Sequence, residues 1–462
     1  MDADLLVAEI GSTTTLVTAF TGLEEGKPVD LAQGQAETTV LDGDVTIGLN
    51  KAIENMNANA GRTLTWKHMT ASSSAAGGLR MTVHGLVYNM TVRAAREAAL
   101  GAGANIKMVT AGELADYDID ELKEIAPNII LLAGGVDYGE KATVIANAKA
   151  LASAGLRIPI IYAGNIAAKS QVERILTSAG MTVFPVENVY PGIDQLNVEP
   201  TRTVIQDVFE KHIMEAPGMS KIREMVTGRI IPTPGAVMLG ARLLQSEIGD
   251  LVMLDVGGAT TDVHSVTEGD PAIVAKSMAP EPFAKRTVEG DLGLFVSAPT
   301  VLEYCDKKAL AAELDCDIED LMDYCRAIPR TEKEILFSSA LAKAATDTAM
   351  PRHAGVIDYL YGPAGRMTVT RGKDLTAVDW IIGTGGALTR LAAGQKILEE
   401  LNYPESSPQL FPRHGKVLLD KNYIMAAAGL MSTLYPKAAL SLMKESLGLD
   451  LSFRKEKKAE EE

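Results

Sequence analysis

The stretch LDVGGATTDVHSV, Leu254 to Val266, decides the fold predicted for this chain of 462 residues. An apolar run ends at Val256, the chain turns at Gly257 and Gly258, and a second strand follows. Because glycine has no Cβ, backbone N–H groups at such a turn can converge on an anion. Neighbouring hydroxyls donate to phosphate oxygens, and an acidic residue before the turn can hold hydrated Mg²⁺. The pattern predicts a phosphate-binding β-hairpin.

A related segment opens the chain. LLVAEIGSTTTLVTAF, Leu5 to Phe20, has Glu9 before Gly11 and hydroxyl residues from Ser12 to Thr15. Either hairpin alone is more often an ordinary glycine-rich turn. Two such hairpins in one chain favour a clamp that holds one polyphosphate from two sides.

A third glycine-rich turn lies in DWIIGTGGALTRL, Asp379 to Leu391. Its apolar run reaches Gly383, and a helical pattern follows from Leu388. A strand-to-helix turn of this kind lets a base or a phosphate approach the backbone closely. As the third member of an ordered set, it strengthens the prediction of a nucleotide site.

The order of the two hairpins and the late GTGG turn resembles the actin, hexokinase and Hsp70-type ATPase superfamily. GATTD, Gly258 to Asp262, matches its second phosphate motif, whereas Glu9 stands where the first motif usually has aspartate. The resemblance implies a two-lobed actin-like α/β ATPase with ribonuclease H-like lobes. It also implies crossing helices at 232–244 and 422–434, whose small residues would permit the sliding that a hinge requires.

The resemblance narrows to one family from Leu5 to about Leu449. The opening segment, TASSSAAGGLRM at 70–81, LLAGGVDYG at 131–139, the GATTD hairpin and RTVEGDLG at 286–293 are similar to the glutamate mutase accessory family, called MutL or GlmL. Membership implies an ATP-dependent reactivase or chaperone for an adenosylcobalamin-dependent mutase or aminomutase. It would couple MgATP hydrolysis to the release of damaged cobalamin. Because the sequence lacks the cobalamin-ligating DxHxxG pattern, the chain is expected to act on a cobalamin enzyme without being one.

The hairpins and the resemblance together assign roles to individual residues. Glu9 and Asp255 would anchor Mg²⁺ through water, and Asp262 or Thr260 would orient the attacking water. The first hairpin would hold the β- and γ-phosphates, the second the γ-phosphate, and the GTGG turn the α-phosphate and adenosine. The predicted nucleotide-binding residues are Gly11, Ser12, Thr13, Thr14, Gly257, Gly258, Ala259, Thr260, Thr261, Glu289, Asp291, Gly383, Thr384, Gly385 and Gly386. For the acidic pair in this set, the alternative is a helix start that Asp291 caps.

Strand and helix patterns divide the chain into domains. Residues 1–245 are expected to form the first ATPase lobe, with an inserted Rossmann-like βαβ subdomain at about 125–195. Residues 246–421 would form the second lobe, and 422–449 the crossing helix and a C-terminal helix. Residues 450–462 are charged and are predicted to be a disordered tail.

The first strand of the inserted subdomain ends in glycines, at Gly134, Gly135 and Gly139. Ligands of parallel sheets bind at the carboxyl ends of the strands. Because the GxGxxG fingerprint is missing, a structural turn is favoured over a ligand site. The insertion is interpreted instead as a surface for the mutase.

Composition limits the functional class. Lys and Arg number 44 against 60 Asp and Glu, a net charge of −16 that argues against a nucleic-acid partner. No apolar run approaches the ~20 residues that span a bilayer, so no membrane contact is expected. Three cysteines without CxxC spacing suit a reducing cytoplasm. The sequence therefore predicts a cytoplasmic protein that uses ATP and Mg²⁺. The oligomeric state is left open, with a homo-oligomer as one alternative.

Three functional classes remain open at this point. A reactivase would show slow ATPase activity that changes with a mutase. A small-molecule kinase of the same fold would phosphorylate a metabolite without a protein partner, and an actin-like scaffold would polymerise with ATP. The fold alone does not separate them.

Overall fold

The structure of the chain is a computed structural model, which describes residues 2–39, 43–74, 79–213, 218–363, 365–403 and 406–453. Within these ranges the strands form three five-stranded sheets and one two-stranded hairpin. The strands are β1 Ala3–Ile10, β2 Thr14–Thr21, β3 Val29–Glu37, β4 Trp66–Ser73, β5 Leu79–Gly85, β6 Ala104–Ala111, β7 Ile129–Leu132, β8 Ile160–Tyr162, β9 Val183–Pro185, β10 Ile230–Pro232, β11 Leu251–Val256, β12 Thr261–Val266, β13 Ala284–Glu289, β14 Val356–Gly362, β15 Gly365–Arg371, β16 Trp380–Thr384 and β17 Lys416–Leu419.

Helices cover the sheets and connect them. The helices are α1 Val45–Ala60, α2 Arg93–Gly101, α3 Asp116–Ile125, α4 Ala142–Ser153, α5 Lys169–Ser178, α6 Glu199–Ile213, α7 Met219–Met225, α8 Thr233–Ile248, α9 Pro271–Val274, α10 Ala298–Leu302, α11 Lys307–Leu314, α12 Glu332–His353, α13 Gly386–Thr389, α14 Gly394–Glu399, α15 Met425–Met431 and α16 Pro436–Ser446. A π-helical turn at Tyr88–Val92 and 3-10 turns at Ile166–Ala168 and Ile318–Tyr324 complete the set.

The first lobe is built on a sheet of order β10-β4-β1-β2-β3. The central strand β1 is almost entirely buried, as its apolar run requires. It pairs antiparallel with β2, from Leu5 opposite Phe20 to Ile10 opposite Thr15. Strand β3 continues the antiparallel side, whereas β4 and β10 run parallel to β1. The opening segment therefore forms the predicted hairpin.

The second lobe repeats this topology in the order β13-β12-β11-β16-β17. Strand β11 pairs antiparallel with β12, from Leu251 opposite Val266 to Val256 opposite Thr261. Strand β13 continues the antiparallel side, and β16 and β17 are parallel to β11. Two lobes with one strand order, each with a glycine-rich hairpin after its central strand, form the predicted actin-like architecture.

The inserted subdomain has a fully parallel sheet of order β6-β5-β7-β8-β9. This sheet begins at Leu79, N-terminal to the predicted range of about 125–195. The predicted range leaves residues 79–125 in the main part of the first lobe, as would hold if consecutive strands lay side by side. The chain instead leaves the first sheet after β4 and returns to it only with β10. Strands β5 and β6 therefore belong to the insertion.

Two small-residue helices cross between the lobes, as the sequence predicts. Helix α8 and helix α15 approach so closely that a Cβ added at Gly429 would lie 1.9 Å from the carbonyl oxygen of Ala236. A Cβ added at Gly240 would lie 3.1 Å from the carbonyl oxygen of Met425. Both helices share one apolar core with residues of both central strands, including Leu5 and Met253. The helices therefore join the two lobes through backbone-to-backbone packing.

The C-terminal segment is ordered further than the sequence predicts. The ring of Phe453 packs edge-on against Trp380, with ring centroids 5.7 Å apart, and its carbonyl oxygen accepts a hydrogen bond from Lys444. Residues 450–453 of the predicted tail are thus held in place, and residues 454–462 lie outside the described ranges. No helix in the described ranges is both long and apolar enough to cross a membrane.

Candidate functional site

A cavity of about 540 Å³ lies between the two lobes, and the tips of both predicted hairpins line it. Ser73 and Ser74, at the end of β4, also line it. Of the predicted site residues, the cavity lining includes Glu9, Gly11, Ser12, Thr13, Thr14, Asp255, Gly257, Gly258, Ala259, Thr260, Asp262 and Gly386.

The two hairpin tips have the same turn geometry. The N–H of Gly11 donates to the carbonyl oxygen of Thr14 at 2.9 Å, and the N–H of Gly257 donates to that of Thr260 at 3.0 Å. A second hydrogen bond orders the first tip, because the Ser12 hydroxyl donates to the carbonyl oxygen of Ser74 at 2.9 Å. Each tip therefore presents an ordered backbone to the cavity before any ligand arrives.

The tips meet across the gap between the lobes. A Cβ added at Gly258 would lie 2.7 Å from the side-chain oxygen of Thr13, which belongs to the opposite lobe. A larger residue at 258 would force the Thr13 side chain to shift, so glycine permits this close approach of the two lobes. The two motifs that the sequence pairs are therefore brought together in space.

Three carboxylates are concentrated beneath the tips, at Glu9, Asp255 and Asp420. Burial, followed by the charges of Asp255 and Asp420, raises the pKa of Glu9 to about 8. Burial and the charge of Asp262 raise the pKa of Asp255 to about 7, and Arg286 opposes this rise. Mutual repulsion of this kind is relieved when a cation binds.

The carboxylate cluster fits a hydrated divalent cation. The Oε1 atom of Glu9 is buried and has no hydrogen-bond partner. Within the described ranges, no group of three or more His, Cys, Asp or Glu side chains could by itself hold a metal ion. Mg²⁺ in nucleotide sites keeps several waters and takes only one or two carboxylates, together with the phosphates. Glu9 and Asp255 are placed where they could hold it through water, and this role stays a prediction.

Asp420 is a site residue that the sequence interpretation missed. Its carboxylate accepts hydrogen bonds from the hydroxyls of Thr384 at 2.8 Å and Ser446 at 2.5 Å. It also accepts hydrogen bonds from the backbone N–H groups of Ile424 and Met425, at the start of α15. Its position directly after strand β17 is the signal that could have identified it, because Glu9 and Asp255 also lie at strand ends. Asp420 thus joins the carboxylate cluster to a crossing helix.

Arg286 is the second residue that was missed. It is almost fully buried, and its guanidinium binds Asp262 at 2.5 Å. It also donates to the carbonyl oxygens of Leu100 at 3.0 Å and Ala104 at 3.3 Å, both in the inserted subdomain. Asp262 in turn accepts the Thr260 hydroxyl at 2.9 Å. Arg286 therefore orients the residue predicted to position the attacking water.

Most residues of the GTGG turn contact other site residues and do not line the cavity itself. Gly385 has a φ of +83°, and a Cβ there would lie 2.6 Å from the carboxylate of Asp255. Gly383 packs against Leu398, and the Thr384 hydroxyl donates a hydrogen bond to Asp420. Gly383, Thr384 and Gly385 are therefore outside the cavity lining. Only Gly386 of this turn lines the cavity.

Part of the cavity lining is suited to a nucleotide base. The apolar lining residues include Leu294, Phe295, Ile328, Pro329, Ile335 and Leu391. Arg326 and Arg390 also line the cavity, and Arg390 is 5.8 Å from the ring centroid of Tyr423. An apolar slot with few polar groups is typical of a site for a flat aromatic ligand. No local sequence pattern marks these apolar residues as a site, because they come from three separate segments.

The remaining predicted residues have other contacts. Glu289 and Asp291 both accept hydrogen bonds from Arg352, at 2.7 Å and 2.8 Å, and neither lines the cavity. Asp291 also does not cap a helix, since Ser297 precedes α10. Thr261 is buried, and its hydroxyl donates to the carbonyl oxygen of Leu292.

Comparisons with known proteins identify the family. The family model for MutL protein matches residues 5–447. Protein MutL of Clostridium tetanomorphum is 40% identical over 464 residues, which cover 97% of this chain and 99% of that protein. The chain belongs to the MutL family. The family predicted from the sequence motifs, the glutamate mutase accessory family, is therefore confirmed.

Two solved structures have weak overall similarity to this MutL family member. The nucleotide-free diol dehydratase-reactivating factor has a TM-score of 0.35 at 12% identity, covering 94% of this chain and 99% of its own. A glycerol dehydratase reactivase has a TM-score of 0.32 at 11% identity, covering 93% of this chain and 99% of its own. Similarity at this level does not establish a shared function.

Proposed function

We propose that this protein binds and hydrolyses MgATP between its two hairpins, and that it uses the nucleotide cycle to reactivate an adenosylcobalamin-dependent mutase or aminomutase. The observation that carries the first part is the pair of equivalent turns, at Gly11 and Gly257, which face one cavity from opposite lobes. One polyphosphate between them would contact both lobes at once. Its presence would therefore set the distance between the lobes.

Phosphate binding would rest on backbone N–H groups rather than on cationic side chains. Residues 11–14 would hold the β- and γ-phosphates, and residues 257–260 would hold the γ-phosphate from the other side. Mg²⁺ would supply charge neutralisation for the phosphates, and Glu9 and Asp255 would hold it through water. The apolar residues of the cavity lining, Ile335 among them, would contact the adenine base.

Hydrolysis of ATP requires positioning and charge stabilisation more than covalent chemistry. Asp262 would orient the attacking water, because its carboxylate is held from two sides. Arg286 fixes one of its oxygens and the Thr260 hydroxyl fixes the other. Loss of the γ-phosphate would then leave the two tips without a common ligand.

The crossing helices would convert this loss into motion. Glu9 contacts the backbone of Ala427 in α15, and Asp420 caps the start of the same helix. A change in cation or phosphate occupancy would act directly on α15, which packs against α8 at Gly429. Closure that depends on the γ-phosphate is the usual link between nucleotide state and mechanical state.

The role toward a mutase is supported by family membership, with 40% identity to Protein MutL over nearly the whole chain. Its test is a reactivation assay. Glutamate mutase is inactivated by loading it with hydroxocobalamin, and this protein, ATP, Mg²⁺ and fresh adenosylcobalamin are then added. We expect recovery of mutase activity with ATP but not without it, and no recovery with the Asp255→Asn variant.

The variant Asp291→Asn provides a matched control, because it removes a carboxylate of the same lobe as Asp255 that lies outside the cavity lining. It should support recovery as well as the natural chain does. Recovery that is equal with and without ATP would contradict the proposal. Phosphorylation of a small metabolite, in the absence of any recovery, would favour the kinase alternative.

A further inference from the structure

The inserted subdomain concentrates its exposed apolar side chains on one edge. All five of its strands are parallel, so their carboxyl ends lie at the same edge of the sheet. Tyr138 is 82% exposed, Tyr117 73% and Ile193 71%. We call the following set the carboxyl-edge surface, because each member lies in or directly after a loop that follows one of the five strands: Val87, Tyr88, Tyr117, Tyr138, Ile166 and Ile193.

Hydrogen bonds lock several of these loops to one another. The N–H of Tyr138 donates to the side chain of buried Asn165 at 3.0 Å, and the side chain of Asp137 accepts the N–H of Ile166 at 2.8 Å. Buried Asn188 donates to the carbonyl oxygen of Gly135 at 3.0 Å. The loops after β7, β8 and β9 therefore form one rigid platform. A surface that is ordered in advance loses little conformational entropy on binding.

The backbone beside the most exposed side chains is strained. Tyr138 has a φ of 62° and Asp194, next to Ile193, a φ of 57°. The left-handed region is disfavoured for most residues with a Cβ, tyrosine included, and glycine would adopt it without strain. An exposed tyrosine also adds little to the core. Strain of this kind that the surroundings maintain is found most often at functional surfaces.

Close packing of glycines fills the crevice in which parallel sheets usually bind small ligands. A Cβ added at Gly164 would lie 2.4 Å from the backbone nitrogen of Gly134. A Cβ added at Gly135 would lie 2.5 Å from the carbonyl oxygen of Glu140. These glycines therefore pack loop against loop, which agrees with the predicted structural turn. The platform is a surface on which a macromolecule can dock rather than a cleft for a nucleotide.

The loops after β6, β7, β8 and β9 are acidic when taken together, and the loop after β5, residues 86–92, has no charged side chain. The segments 112–117, 133–142, 163–170 and 186–197 contain more carboxylates than cationic side chains, namely Glu113, Asp116, Asp137, Glu140, Glu187 and Asp194 against Lys141 and Lys169. This charge would repel an anionic membrane. It would also repel a second copy of the same face, because a twofold interface places identical patches together. The complementary partner carries Lys and Arg around an apolar centre.

We propose that the carboxyl-edge surface binds a folded protein partner with an apolar contact face bordered by basic side chains. The inference rests on the proposed function, which makes that partner the inactive mutase. Strand β6 places the surface in reach of the nucleotide. Its start, at Asn105 and Lys107, lines the cavity between the lobes, and the strand ends at the carboxyl edge with Ala111, about 20 Å from Asn105. One rigid sheet thus joins the two sites.

The test compares the affinity of three full-length proteins for glutamate mutase loaded with hydroxocobalamin, measured by calorimetry at low and at high salt. The test variant is Tyr138→Asp combined with Ile193→Asp. The matched control is Tyr361→Asp, since Tyr361 is 79% exposed on the β14–β15 hairpin of the second lobe. We expect the double variant to bind at least about tenfold more weakly than the natural chain, and the control to bind equally well. Basal ATPase activity should be unchanged in both variants.

A second variant tests the charge of the surface without altering its apolar centre. Glu113→Lys should weaken binding at low salt and reduce the loss of affinity on adding salt. If the double variant and Glu113→Lys both bind as the natural chain does, the surface is not the docking site, although the proposed function would stand. If the natural chain itself does not bind the mutase and fails to reactivate it, the proposed function fails and this inference fails with it. If the double mutation only dissociates an oligomer of the chain, the partner is a second copy and the inference is wrong.

Discussion

The substitution Glu9→Gln removes one charge from the buried carboxylate cluster. It therefore separates the effect of the cluster on folding stability from its role in binding a cation. Glu9 is 7% exposed, and its Oε1 atom has no partner. Its pKa of about 8, against an ordinary value of 4.5, means that the folded chain holds a proton that the unfolded chain releases. Stability from this group is therefore complete below pH 4.5 and is lost as the pH rises to about 8. Glutamine keeps the shape of the side chain and cannot ionise.

The expected size of the effect follows from the two pKa values. Each tenfold change in proton affinity corresponds to ~1.4 kcal/mol, so keeping Glu9 in the folded protein costs ~1 kcal/mol at pH 5 and ~3 kcal/mol at pH 7. Above pH 8 the cost approaches ~5 kcal/mol. In the absence of nucleotide, Glu9→Gln should therefore melt several degrees above the natural chain at pH 8, and the difference should shrink toward pH 5.

The assay is thermal unfolding from pH 5 to pH 9, with and without MgATP. MgATP should raise the melting temperature of the natural chain more than that of Glu9→Gln, because a bound cation relieves the repulsion that the variant already lacks. A melting difference that does not vary with pH would refute the account of the buried cluster. Equal stabilisation by MgATP would refute the cation role of Glu9.

Three further substitutions test other parts of the site. Asp255→Ala should reduce ATP turnover by roughly 10²-fold or more with the fold intact, which steady-state hydrolysis and circular dichroism would show, and near-normal turnover would reject its role. Gly429→Val should destabilise the chain by about 1–3 kcal/mol or more in thermal unfolding, because its Cβ would lie 1.9 Å from a carbonyl oxygen of the partner helix. Gly290→Ala, with no atom within 4 Å of the added Cβ, is its control, and equal stability of the two would contradict the packing argument. Asp291→Asn should leave the KM for ATP unchanged, since Asp291 pairs with Arg352, and a large rise in KM would show that Asp291 binds nucleotide after all.

The features that sequence could predict are those encoded within one short segment. Both hairpins are marked by an apolar run, a glycine turn and adjacent hydroxyls, and the structure forms an antiparallel strand pair at each. The crossing helices are visible for the same reason, because small residues such as Gly240 and Gly429 recur at helical spacing. Family motifs then fix the order of these pieces along the chain.

The features that sequence missed depend on contacts between distant segments. Arg286 binds Asp262 and two carbonyl oxygens that lie more than 180 residues away, and nothing near it in the sequence marks it as buried. Asp420 becomes part of the cluster only because α15 begins beside β1. The inserted sheet was placed too late because β5 follows β4 in sequence but pairs in another sheet. In each case the position of the residue or strand depends on contacts between distant segments, which the local sequence pattern does not specify.

The central claim is that one MgATP molecule is held by both lobes at once, and hydrogen exchange of backbone amides tests it most directly. Exchange is compared for the chain alone, with MgADP and with a nonhydrolysable MgATP analogue. The account predicts that the analogue protects residues 11–14 and residues 257–260 together, and that MgADP protects the second hairpin less. Protection confined to one hairpin, or equal protection by both nucleotides, would contradict the claim.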